Sequence, residues 1–175
     1  HRSSPVQIPG NTWSTAHISG GFFLGTKTDG TLWASGGNDA GYLGQNSRTY
    51  YSSPVQIPGN TWNRFGFNRG GVKAVKSDGT LWSWGYDGGY GAFAQNNETQ
   101  YSSPIQIGSA TNWTSISTGS QAASAINTSG ELWVWGKNSK GVLGLNSQTD
   151  YSSPVQLPGT TWRSVAMNTQ SSYAT

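Results

Sequence analysis

Seven carboxylates and two imidazoles are all that this 175-residue sequence offers for acid–base chemistry. Asp29 and Asp78 each precede a glycine, in pairs where Asp is favoured for backbone reasons. Asp39 and Asp87 fall in corresponding Gly-rich stretches, and Glu98, Glu131 and Asp150 stand apart from them. General acid–base catalysis needs two such groups converging on one reacting centre, and nothing in these spacings enforces that. His1 is terminal, and His17 is isolated within WSTAHISGG. The absence of cysteine excludes thiolate metal sites, cysteine nucleophiles and disulfides. Two histidines without cysteine do not make a structural zinc site. No phosphate-binding loop, nucleophile elbow or dinucleotide fingerprint occurs, and the Gly-rich GGNDAGYLG reads as a repeated turn. The sequence therefore predicts no catalytic residue, no cofactor and no metal.

Binding chemistry is better represented. Charged residues make up only 10% of the chain, against roughly 25% in average globular proteins, so Ser, Thr, Asn, Gln and Gly carry the polarity. Nine Trp, eight Tyr and five Phe argue for an ordered fold. The net charge is +3, but the ten Lys and Arg are scattered; Arg64, Arg69, Lys73 and Lys76 are the nearest approach to a cluster. A nucleic-acid binder gathers its cations into a patch or stripe, so this scatter argues against that class. No apolar run approaches a membrane span, so no membrane insertion is expected. Sequons at Asn97, Asn112 and Asn127 are what chance supplies in so Asn-, Ser- and Thr-rich a chain, and Asn127 falls in a predicted strand.

The elements that must position these residues repeat. YSSPVQIPGNTW at 51–62 is nearly copied at 2–13 and 151–162, and more loosely at 101–113 as YSSPIQIGSATNW. Its prolines, Pro5, Pro54, Pro104 and Pro154, are spaced by 49, 50 and 50 residues. TDGTLWASG at 28–36, SDGTLWSWG at 77–85 and TSGELWVWG at 128–136 recur in step, each followed by a GYLGQN-like phrase. Three phrases in one order at one period define a repeat array. The units fall near 1–49, 50–99 and 100–149, with a partial unit over 150–175.

Each unit reads as β. The pairs ending in Gly30, Gly79 and Gly130 suit two-residue hairpins with both central residues at positive φ. The following strand alternates, with Trp82 and Trp84 on one side and Leu81 and Ser83 on the other. A PVQI strand would begin at its proline, which lacks a ladder donor. A further strand follows Trp13, Trp62, Trp113 and Trp162. This predicts an all-β fold of propeller blades, about 50 residues and four antiparallel strands each. Both faces of such blades are buried, and Trp33, Trp82, Trp84, Trp133 and Trp135 would fill the wedges between them.

The phrase SDGTLWSWG, the N-x-x-G-x-L-G loop and the Pro-Val strand resemble the repeat of the regulator of chromosome condensation superfamily, along essentially the whole chain. That resemblance implies a seven-bladed ring. It leaves function open, because the superfamily includes a nucleotide exchange factor, ubiquitin-ligase modules, an enzyme inhibitor, and bacterial and viral repeat proteins. The Pro-Val phrase occurs four times and the Asp-Gly phrase three times. Two copies of 3.5 units would leave a ring unbalanced, and a segment of a longer chain is expected.

The units differ most in one loop. Unit two has an extra residue within YDGGYGAFAQ, and unit three loses its second proline and gains a residue within 108–112. Loops on a rigid scaffold are where such proteins bind, which makes Tyr86, Tyr90 and Phe93 the candidate interaction residues, with Phe93 also able to take the core place of Leu43 and Leu143. The functional expectation is a non-enzymatic scaffold for protein partners or for further blades, in a structural, extracellular or virion-surface setting. Glycan or receptor binding, and a regulatory role as exchange factor or inhibitor, are the alternatives.

Overall fold

The computed structural model describes residues 7–69, 71–168 and 171–175. Residues 1–6, with Pro5 and Val6 of the first Pro-Val phrase, lie outside the described residues. Three four-stranded antiparallel sheets follow one another along the chain. Blade one comprises β1 (Trp13–Ser19), β2 (Phe22–Lys27), β3 (Leu32–Gly36) and β4 (Tyr51–Gln56). Blade two comprises β5 (Trp62–Asn68), β6 (Gly71–Lys76), β7 (Leu81–Gly85) and β8 (Tyr101–Gln106). Blade three comprises β9 (Trp113–Thr118), β10 (Ala122–Asn127), β11 (Leu132–Gly136) and β12 (Tyr151–Gln156). A further pair, β13 (Val165–Met167) and β14 (Ser172–Ala174), packs on blade three. Among the described residues no helix is long and apolar enough to cross a membrane.

The blade is offset from the sequence repeat. Each sheet opens on the strand after a linker Trp and closes on the Pro-Val strand of the next written unit. The Pro-Val strand is also longer than PVQI. It begins at Tyr51, Tyr101 or Tyr151, and Pro54, Pro104 and Pro154 stand fourth in it, not first. These are edge strands, and their register against the third strand slips across the Ser-Ser-Pro residues, with Tyr51 opposite Gly36 and Val55 opposite Ala34. A bulge on an edge is where a residue without a ladder donor is tolerated.

The Asp-Gly turn also differs from the expected two-residue form. Gly30 N donates to Lys27 O at 3.0 Å and Lys27 N to Thr31 O at 2.9 Å, so the loop has three residues, 28–30. Gly30, Gly79 and Gly130 have positive φ, whereas Asp29, Asp78 and Ser129 do not. This is the three-residue hairpin in which only the last position needs the left-handed region. The Asp29 carboxylate accepts from Thr31 N and Thr31 Oγ1, which holds its pKa below the ordinary value; Thr80 does the same for Asp78.

The core lies between blades. Leu24, Leu32, Leu43, Ile57, Trp62 and Trp84 pack together where blade one meets blade two. Val75, Leu81, Ile107, Trp113 and Trp135 do so at the next wedge. Trp84 and Trp135 are fully buried, and each indole reaches back to the preceding blade, donating to Tyr42 O and Ala92 O at 2.9 Å. Trp162, with Val165 and Met167, extends the same arrangement beyond blade three.

Candidate functional site

Antiparallel order sends the connections to two opposite ends of each blade. One end carries the Asp-Gly turns and the linkers between blades. The other carries the short turns after β1, β5, β9 and β13 and the long connections 37–50, 86–100 and 137–150. The turn end is nearly identical in blades one and two and is altered in blade three, whereas the loop end differs in all three blades.

A buried side chain holds each long loop. Asn38 Oδ1 accepts from Leu43 N at 2.9 Å, and its Nδ2 donates to the carbonyls of Ser47 and Thr49. Asn138 repeats this with Leu143 N and Ser147 O. In blade two the equivalent residue is Asp87, whose carboxylate accepts from Phe93 N at 2.9 Å and Gly91 N at 3.0 Å. Asp87 and Asn38, not Asp39, are therefore structural equivalents.

Phe93 is fully buried, in the place of Leu43 and Leu143, and is a core residue with no surface to offer a partner. Tyr86 and Tyr90 are half-buried on the loop face. The Tyr90 ring lies 4.2 Å from Lys137 Nζ, which in turn donates to Gln121 Oε1 at 3.3 Å, tying the loop of blade two to blade three.

The loop face holds a depression of about 690 Å³ beside the ends of β1, β5 and β9. Phe22, Tyr42 and Phe67 line it, with Phe22 stacked on Tyr42 at 4.9 Å and 18° and 4.6 Å from Phe67. Asn68, Arg69 and Ser120 add polar groups. A smaller depression of about 180 Å³ adjoins it through Ser120 and Asn168 and adds Gln121, Lys137 and Lys140. The two linings hold three cations and no carboxylate. These residues escaped the sequence reading, although one signal was available: Phe22, Gly71 and Ala122 share one position in the three blades, and only the first is large.

The four basic residues that cluster in sequence do not form one surface. Arg69 is on the loop face, Lys73 is fully buried, and Arg64 and Lys76 flank the turn end. The acids disperse as well. Asp39 accepts from the Tyr50 hydroxyl, Asp150 from Asn138 N, and Glu131 from Asn127 Nδ2. Among the described residues no group of three or more His, Cys, Asp or Glu could hold a metal ion.

Residues 129–173 match the regulator of chromosome condensation (RCC1) repeat. The chain contains an RCC1-type repeat. Yeast Prp20p, from Saccharomyces cerevisiae, superposes with a TM-score of 0.78 at 16% identity, over 92% of this chain and 43% of that one. The same yeast RCC1 protein, solved with Kap60 bound, gives 0.80 at 16% identity over 99% and 44%. Human WBSCR16 gives 0.60 at 17% identity over 97% and 58%. The chain thus spans less than half the length of Prp20p. At these identities the likeness establishes the fold, an RCC1-type β-propeller architecture. Prp20p was solved together with a study of its binding to Gsp1p and histones. A search of curated proteins returns no match.

Proposed function

We propose that this chain is a non-enzymatic propeller scaffold, a sector of a seven-bladed ring, that binds a protein partner through its loop face. The observation that carries the reading is the pair of adjoining depressions, which present Arg69, Lys137 and Lys140 without a carboxylate on the end where the repeats diverge. A loop surface on a rigid scaffold can change without disturbing the core, which is the usual location of binding residues. Tyr86 and Tyr90 border this surface in the reading. Display on a virion or cell surface belongs to the same proposal, supported by polarity drawn from uncharged residues.

Site-specific photo-cross-linking from position 90 in an extract of the source tests the proposal. A protein captured from position 90 but not from Thr28 at the turn end is expected, and Arg69→Glu/Lys137→Glu/Lys140→Glu removes it. Equal capture from both ends, or capture insensitive to charge reversal, refutes it. The aromatic floor with Asn68 and Asn168 beside it also suits a sugar ring, which stacks on aromatic faces and bonds to amides. Glycan binding lost on Phe67→Ala but indifferent to the charge reversal would select that second reading.

A further inference from the structure

At the turn end, blades one and two each hold a lysine ammonium against two tryptophans. Lys27 Nζ lies 5.2 Å from the Trp13 ring centroid and 3.9 Å from that of Trp33. Lys76 Nζ lies 4.6 Å and 4.3 Å from Trp62 and Trp82. An ammonium between two ring faces is a favourable cation–π arrangement. The second indole of each pair is satisfied by a threonine of the turn: Trp33 Nε1 donates to Thr31 Oγ1 at 2.7 Å and Trp82 Nε1 to Thr80 Oγ1 at 2.8 Å.

Blade three keeps the two walls and loses the cation. Trp113 and Trp133 stand 6.2 Å apart at 83°, against 6.0 Å and 75° for Trp62 and Trp82. The lysine position is Asn127 and the threonine position is Glu131, which accepts from Asn127 Nδ2 at 2.6 Å. The indole N–H groups of both Trp113 and Trp133 are buried without a hydrogen-bond partner. Trp62 shares that condition, but its ring is covered by Lys76. The linker is rebuilt here as well, and a cavity of about 440 Å³ opens between blades two and three. Trp113, Trp133, Asn127 and Glu131 line it together with the apolar Ile107 and Pro154.

We propose that the blade-three cavity is a receptor for a lysine side chain presented by another protein. The two indole faces take the ammonium as they take Lys27 and Lys76 in the other blades. Glu131 places the turn's carboxylate two positions later than Asp29 and Asp78 do in the other blades, on the cavity lining itself, and a carboxylate bonds an ammonium that retains N–H. Ile107 and Pro154 offer apolar surface to the four-carbon stem. Most of this lining belongs to the turn end and none of it lines the loop-face depressions, so the site stands independently of the function proposed there.

Titration of the chain with a blocked Gly-Lys-Gly peptide, followed by calorimetry and indole fluorescence, tests the inference. Saturable binding is expected, with none for the norleucine or acetyl-lysine analogues. Glu131→Gln should weaken it about tenfold or more, the loss of one charge-assisted bond. Asn127→Lys should abolish it, because the protein's own lysine then fills the cage. Asn127→Lys/Ser129→Asp/Glu131→Thr rebuilds the blade-one turn, Lys27 to Thr31, entirely, so it folds by a pattern the chain already uses and should be equally inactive. Equal binding of the norleucine peptide, persistence of binding in the rebuilt turn, or no binding of the lysine peptide at millimolar concentration overturns it.

Discussion

Lys73 carries an amine into the interior of this fold. It is fully buried at the position that Leu24 and Ser124 occupy in the other blades, with its ammonium 5.0 Å from the Phe93 ring. Burial lowers its pKa from 10.5 to about 7, and the charge of Asp87 opposes that shift. The two departures from the repeat are coupled: a cation replaces Leu24, and a carboxylate replaces Asn38. Between about pH 7 and pH 10.5 the unfolded chain holds the extra proton, so stability rises with pH across that window, and the cost is complete below it. Lys73→Leu/Asp87→Asn, which copies blade one, should be more stable than the parent by about 1–4 kcal/mol and should flatten this dependence. Lys73→Leu alone should be less stable than the double variant, since it leaves a buried carboxylate without its compensating cation. Urea midpoints measured below pH 7 and above pH 10.5 decide both points.

Among the elements, the three-residue Asp-Gly hairpin joins successive blades. Gly79 has φ +77°, and a Cβ there would lie 2.1 Å from Thr111 O in the linker. Its own carbonyl accepts from Trp113 N at 3.0 Å, so the turn fixes where the next blade begins. Gly20 has φ +60° with nothing within 4 Å of an added Cβ. Both Gly→Ala changes incur the backbone penalty of about 1 kcal/mol, but Gly79→Ala should cost at least twice as much as Gly20→Ala, because the linker must also move. Thermal denaturation of the pair separates crowding from conformation. The glycine and its turn were legible in the sequence. The turn's length was not, because Asp-Gly serves two- and three-residue hairpins alike and the hydrogen bonds of Lys27 and Thr31 select between them.

At the scale of the molecule, each blade is stabilised chiefly by its neighbours, since the apolar clusters sit in the wedges. Trp135→Ala empties the wedge between blades two and three and removes the bond to Ala92 O. It should cost about 3–5 kcal/mol by equilibrium unfolding. Hydrogen exchange should rise in β9 and β10 and leave β2, which packs at the other wedge, nearly unchanged. A uniform rise along the chain would mean that the array unfolds as one unit rather than wedge by wedge.

The sequence by itself determined the repeat, the β character, the role of Trp84 and Trp135 in the wedges and the turns at Gly30, Gly79 and Gly130, because period and alternation are local properties of a chain. It could not set the phase of the blade: a repeating phrase can be cut anywhere, and only the hydrogen-bonded order shows that Pro-Val strands close a sheet. Nor could it assemble the loop-face depressions, which draw on turns near Gly20, Arg69, Ser120 and Asn168, about 50 residues apart. The blade-three cage falls between these cases. Its departures, Asn127 for lysine and Glu131 for threonine, are written in the repeat, but only the tertiary structure places both beside two perpendicular indoles and an open cavity. Side chains far apart in sequence meet there because stacked blades bring equivalent strands face to face.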